Sequence, residues 1–214
     1  MSSGPRVAIL ISGRGSNMLA ILDRAELEEW PCTFALVLSN KVSAAGLQEA
    51  TARGIATAVV DHKPYGRSRR EEYDKELVQV LRRHDVDVVV LAGFMRILSP
   101  VFVRAFEGRI MNIHPSLLPD FPGLHTHARA LAAGATEHGC SVHLVDESLD
   151  GGPLLGQARV PVLQGDTPDS LAARVLVKEH LLYPAVVQAV ISGPLPIQPI
   201  SPPLSVPGAS VDQP

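Results

Sequence analysis

Short unbroken apolar runs alternate along the chain with longer stretches in which apolar positions recur every three or four residues. The runs are VAILI (7–11), TFALVLS (33–39), TAVV (57–60), DVVVLAG (87–93) and RIMNI (109–113). A strand covered on both faces needs apolar residues at consecutive positions, so this alternation predicts βαβ units in an open, mostly parallel α/β sheet with helices on both faces. The helix after the third run is the clearest: Ser68 and Glu71 have capping-box spacing, and Tyr73, Leu77, Val80, Leu81 and His84 share a face.

The texture changes after residue 137. CSVHLVDE, the turn SLDGG and PLLGQARVPV predict antiparallel strands in the C-terminal part, joined by a short loop. A last helix is expected from Thr167-Pro168 to about Val190, with proline at its favoured first position and a bend at Pro184. Residues 1–192 read as a single domain, with halves of about 1–105 and about 106–192. The proline-rich segment 193–214 has no period, and a disordered or loosely draped tail is expected there.

Composition narrows the class. With 46% hydrophobic and 19% charged residues among 214, the chain reads as a soluble globular protein able to bury one large core. A net charge of -3 offers no basic excess for a phosphate backbone, so no nucleic-acid partner is expected. Arg67, Arg69 and Arg70 alternate soon with Glu71, Glu72, Asp74 and Glu76, as on a solvated helix face. Cys32 and Cys140 lie far apart without a signal peptide, which suggests reduced thiols and a cytoplasmic location. VAILI is too short to span a bilayer, so no membrane role is expected.

In Rossmann-like sheets, ligands bind beyond the carboxyl ends of the parallel strands. The unusual polar segments follow those ends: SGRGSN, SNK, GFMRILSP and NIHPSLLP. ISGRGSNM departs from a dinucleotide fingerprint, because Met18 replaces the third glycine and Asn40-Lys41 replaces the ribose-binding acid. What remains is either a helix N-terminus holding one phosphate with Gly15, Ser16 and Asn17, or a glycine turn with a Ser or Asn N-cap.

Asn112 and His114 alternate on one side of a strand end. A neutral amide donor beside a group that can become a cationic donor is what an oxyanion requires, and Pro115, Pro119 and Pro122 stiffen the loop beyond. Asp150 in ESLDGGP fits ordinary turn chemistry, yet its carboxylate can also reach the crevice, pair with His114 and fix the tautomer. His125 and His127 form an HxH pair, with His114, His138 and His143 nearby, but no carboxylate or cysteine cluster accompanies them at ligand spacing, so no metal is expected. Neither cysteine has a basic partner in sequence and there is no GxSxG elbow, so covalent catalysis has no support.

Taken together, ISGRGSN, SNK, LAGFMRILSP, NIHPSLLPDFPGLHTH, EHGCSVHLV, LDGGP and KEHLLYP resemble the glycinamide ribonucleotide formyltransferases of purine biosynthesis, from about Arg6 to Val190. The resemblance implies a nucleotide-binding half, a C-terminal half completing a folate cleft, and 10-formyltetrahydrofolate as co-substrate with no metal. It puts the catalytic residues at Asn112, His114 and Asp150. The substrate phosphate loop falls on Gly15, Ser16 and Asn17, Arg70 becomes a phosphate or ribose neighbour, and Glu179 meets the glycinamide end. Folate contacts fall on Met95, Arg96, Ile97, Leu98, Asn112 and Asp150. The partners implied are these two small molecules, on a monomer or homodimer. The alternatives are a formyltetrahydrofolate deformylase, in which water replaces the amine, and a non-catalytic nucleotide-binding module. A strand starting by residue 7 is not expected to leave room for the deformylase's N-terminal regulatory domain, and methionyl-tRNA formyltransferase would need a further domain and a basic surface.

Overall fold

The computed structural model describes residues 4–66 and 68–206. Arg67 of the basic cluster and residues 207–214 of the tail lie outside them. The strands are β1 (Arg6–Ile11), β2 (Thr33–Ser39), β3 (Thr57–Val59), β4 (Val88–Leu91), β5 (Ile110–His114), β6 (Glu137–Leu144), β7 (Leu154–Pro161) and β8 (Leu204–Ser205). The helices are α1 (Ser16–Leu27), α2 (Gly46–Ala52), α3 (Arg70–Arg83), α4 (Pro100–Ala105), α5 (Thr126–Ala132) and α6 (Pro168–Ile191).

All eight strands form one sheet in the order β3-β2-β1-β4-β5-β6-β7-β8. The five apolar runs become its parallel part, and β6 is antiparallel to both β5 and β7. The alternation of side chains along a strand divides the core in two. From β1, Val7, Ile9 and Ile11 pack with Met18 and Ile21 of α1 and with Leu182 and Val186 of α6. Ala8 and Leu10 pack on the opposite face with Tyr73 and Leu77 of α3 and Phe102 of α4.

Among the described α-helices a side-chain N-cap hydrogen bond forms at α6 alone. Thr167 and Ser170 form a reciprocal capping box at the start of α6, with Pro168 in the first turn, and the helix continues through Pro184. At α3 the expected Ser68–Glu71 box does not form: the N-cap is Arg69, without a side-chain cap. The inward face of α3 is Tyr73, Asp74, Leu77, Val78 and Leu81, with Val80 and His84 half-buried.

The tail also differs from expectation over 193–206. Ile197 is 6% exposed and its N–H donates to the Gly108 carbonyl at 2.7 Å. Gly108 permits this because a Cβ there would stand 2.9 Å from Pro196 Cβ. Leu204 and Ser205 then pair with Gly156 and Gln157, covering the outer edge of β7. A segment without period carries no pattern that announces such docking.

Candidate active site

Because β1, β2, β4 and β5 are parallel, the polar segments that follow them meet at one edge. Ser12 ties three of these together: its hydroxyl donates to Asn40 Oδ1 at 2.6 Å and accepts the Met95 N–H at 2.8 Å. Gly15 is the N-cap of α1 with φ 75, a conformation that favours glycine, so neither Ser16 nor Asn17 caps the helix. The Asn17 side chain turns instead to α6, where its Nδ2 donates to Glu179 Oε2 at 2.6 Å. Burial raises the Glu179 carboxyl above its ordinary range, opposed by that hydrogen bond.

The loop after β4 leaves Met95 and Ile97 exposed and turns Leu98 partly into the core. Its far end is pinned by Asp74, which accepts the Ser99 N–H at 2.5 Å, and the Arg96 guanidinium lies 5.6 Å from the Tyr73 ring centroid. Arg70 opens α3 and is half-buried.

Asn112, His114 and Asp150 come together. His114 ends β5 and is 6% exposed; its Nδ1 lies 3.4 Å from Asp150 Oδ2. Asp150 sits in the connection between β6 and β7 with φ 52, and its Oδ2 also accepts the Gly123 N–H at 2.8 Å. His114 Nε2 donates to the Phe121 carbonyl at 3.1 Å. The antiparallel register of β5 and β6 sets Asn112 opposite His143, with Asn112 Nδ2 3.2 Å from His143 Nε2. His143 Nε2 stands 3.7 Å from Asp150 Oδ1.

The chain just past His114 is braced from behind. Ser141 Oγ donates to the Ser116 carbonyl at 2.7 Å and accepts the Leu118 N–H at 3.0 Å, while Gln157 Nε2 donates to Ser141 Oγ and to the Leu118 carbonyl. Holding backbone groups with the buried Ser141 and the half-buried Gln157 limits the motion of the two donors upstream.

His127 and His138 face each other, Nδ1 to Nε2 at 3.2 Å, and burial lowers both below the ordinary imidazole range, His138 to about 4. His125 is the exposed N-cap of α5. Both cysteines are free; burial pushes the Cys32 thiol up to about 11 and the Cys140 thiol higher. Neither is a ready thiolate. Among the described residues, no helix is long and apolar enough to cross a membrane.

In the comparison with known proteins, a family model described as "Formyl transferase" matches residues 5–187. The chain belongs to the formyl transferase family. It is 51% identical over 181 residues to the phosphoribosylglycinamide formyltransferase of Escherichia coli (strain K12), covering 85% of this chain and 84% of that protein. It is 46% identical over 188 residues to the trifunctional purine biosynthetic protein adenosine-3 of Homo sapiens, covering 88% of this chain and 18% of that one. Among solved structures, glycinamide ribonucleotide transformylase 1 from Symbiobacterium toebii superposes with a TM-score of 0.85 at 40% identity, covering 90% of each chain. Phosphoribosylglycinamide formyltransferase from Brucella melitensis gives 0.81 at 49% identity, covering 90% of this chain and 98% of that one.

Sequence reasoning named Asn112, His114 and Asp150, which the structure brings together, but not Phe121, Gly123, Ser141 and Gln157 around them. Phe121 and Gly123 contribute backbone groups, for which side-chain identity carries no signal. Ser141 and Gln157 act through strand pairing that only the antiparallel register creates.

Proposed function

We propose that the protein transfers the formyl group of 10-formyltetrahydrofolate to the amine of glycinamide ribonucleotide, giving N-formylglycinamide ribonucleotide in purine biosynthesis. The observation that carries this reading is the meeting of Asn112, His114 and Asp150 at the carboxyl edge of the sheet, in a chain whose relatives bear that activity in their names.

The substrate amine attacks the formyl carbon on N10, and the carbonyl π pair moves to oxygen as a tetrahedral oxyanion. Asn112 Nδ2–H and protonated His114 Nε2–H donate to that oxygen. His114 Nε2 already donates to the Phe121 carbonyl, so the oxyanion has to compete for it. The oxyanion is favoured because a full negative charge attracts the imidazolium more strongly than a neutral carbonyl dipole does. Asp150 sustains the imidazolium and, through water, takes the proton the amine nitrogen loses. The C–N10 bond then breaks as its electron pair goes to N10, N10 receives through water the proton that Asp150 took, and tetrahydrofolate leaves.

In this reading Gly15, Ser16 and the first turn of α1 hold the substrate phosphate with Arg70 as neighbour, and Glu179 meets the glycinamide end beside Asn17. The loop through Met95, Arg96, Ile97 and Leu98 receives the pterin, with Asn112 and Asp150 at its inner end. The halves of about 1–105 and about 106–192 divide nucleotide from folate binding.

The test is to mix the protein with 10-formyltetrahydrofolate and follow formyl loss with and without glycinamide ribonucleotide. Strict dependence on the amine supports transfer; amine-independent release supports a deformylase; silence in both supports a binding module.

A further inference from the structure

We infer that His143 is a positioning residue: by presenting a bare Nε2 lone pair, it fixes the Asn112 amide with its NH₂ group, not its carbonyl, turned toward the reacting centre. The inference rests on the formyl-transfer reading for its kinetic consequence, but not for its geometry.

The two orientations of an asparagine amide have nearly the same shape, so packing alone chooses poorly between them. The hydrogen-bond inventory chooses sharply. His143 is 2% exposed, and its Nδ1 lies 2.8 Å from the Leu144 carbonyl oxygen. A carbonyl only accepts, so Nδ1 carries a proton. A neutral imidazole has a single N–H, which leaves Nε2 as an acceptor. At 3.2 Å from that acceptor, Asn112 must offer N–H. The amide nitrogen has a second N–H, and it is the one left for a ligand. With the amide reversed, Asn112 would set its carbonyl oxygen against an oxyanion and repel it.

This depends on His143 being neutral, and the groups facing it pull both ways. Asp150 and Asp146 favour the imidazolium, as does the Leu144 carbonyl; His114 opposes it. Burial outweighs these and lowers the imidazole below its ordinary range. The rival arrangement is an imidazolium whose Nε2–H donates to the oxygen of a reversed Asn112 amide; the nearest carboxylate that would stabilise that charge, Asp150 Oδ1, is 3.7 Å away, beyond hydrogen-bond reach.

The deciding measurement is ¹⁵N NMR of histidine in the intact protein between pH 6 and 8. His143 is expected to show a protonated Nδ1 and an unprotonated Nε2 throughout. A protonated Nε2 in that range overturns the inference, and this readout holds whatever reaction the protein catalyses. Kinetics give the second arm. In folded protein, His143→Leu is expected to lower kcat about tenfold or more with both KM values nearly unchanged, and His143→Gln, which can again accept, to recover most of it. In an Asn112→Ala background, His143→Leu should cost nothing further. Independent, additive losses from the two substitutions would show that His143 does not act through Asn112. If His143→Leu fails to fold, the NMR result on the parent protein decides.

Discussion

Asp150 Oδ2 stands 3.4 Å from His114 Nδ1, and the same oxygen accepts the Gly123 N–H at 2.8 Å. One carboxylate therefore joins the connection between β6 and β7 to the end of β5 and to the proline-stiffened loop beyond it. Asn at this position keeps an acceptor for Gly123 and loses the charge. Asp150→Asn should stay folded and bind both substrates, with kcat lower by roughly 10²–10³. A tenfold loss of folate affinity with unchanged kcat would sink the assignment.

Removing either oxyanion donor should act on turnover. Asn112→Ala and His114→Ala are each expected to lower kcat by roughly 10²–10³ while the far-ultraviolet circular dichroism is retained. Asn112→Ala also strips the buried His143 Nε2 of its donor, so thermal unfolding should reveal a loss of about 1–3 kcal/mol. Near-normal turnover in both variants refutes the proposed roles.

Glu179 gives a prediction with a definite sign. Burial raises its folded pKa above the ordinary 4.5, so its neutral form is favoured by folding. Stability from this group is greatest below about 4.5 and is lost as pH rises through the folded value. Glu179→Gln should therefore unfold at a higher temperature than the parent at pH 7, with the gap closing toward pH 4.5. Exchanging a carboxyl oxygen for an amide NH₂ beside the substrate should also raise KM for glycinamide ribonucleotide about tenfold or more. A variant less stable than the parent at pH 7 would reverse the electrostatic argument.

His138 sets the opposite limb. Burial, with His127 and His114 adding repulsion, lowers its pKa from 6.5 to about 4. The unfolded state then binds the proton first, so stability is present above 6.5 and falls as pH drops toward about 4. Melting temperature plotted against pH should decline over that window in the parent and more shallowly in His138→Gln. Parallel curves for the two proteins would remove His138 as the cause.

The tail contributes stability. A chain ending at Ser192 loses the buried Ile197 side chain and the strand over β7. Burial of one such side chain is worth about 1.5–3 kcal/mol, so calorimetry should find the melting temperature lower by roughly 3–12 °C. An unchanged melting temperature would mean that residues 193–206 only rest on the surface.

The alternation of apolar runs with helical period sufficed to specify the parallel sheet, because a strand covered on both faces leaves consecutive apolar residues as its mark. Polar segments after four of the five runs marked the edge where the candidate site gathers, and Asn112 and His114 were legible there because two residues apart on a strand share a side. Asp150 was legible only as a turn that could also reach inward; its pairing with His114 depended on where the connection between β6 and β7 folds. His143, Ser141 and Gln157 acquired their roles from antiparallel register, which brings distant residues face to face without leaving a local pattern. The docking of Ile197 was likewise decided by tertiary packing, since an isolated isoleucine in a proline-rich segment has no periodic neighbours to announce the face it buries.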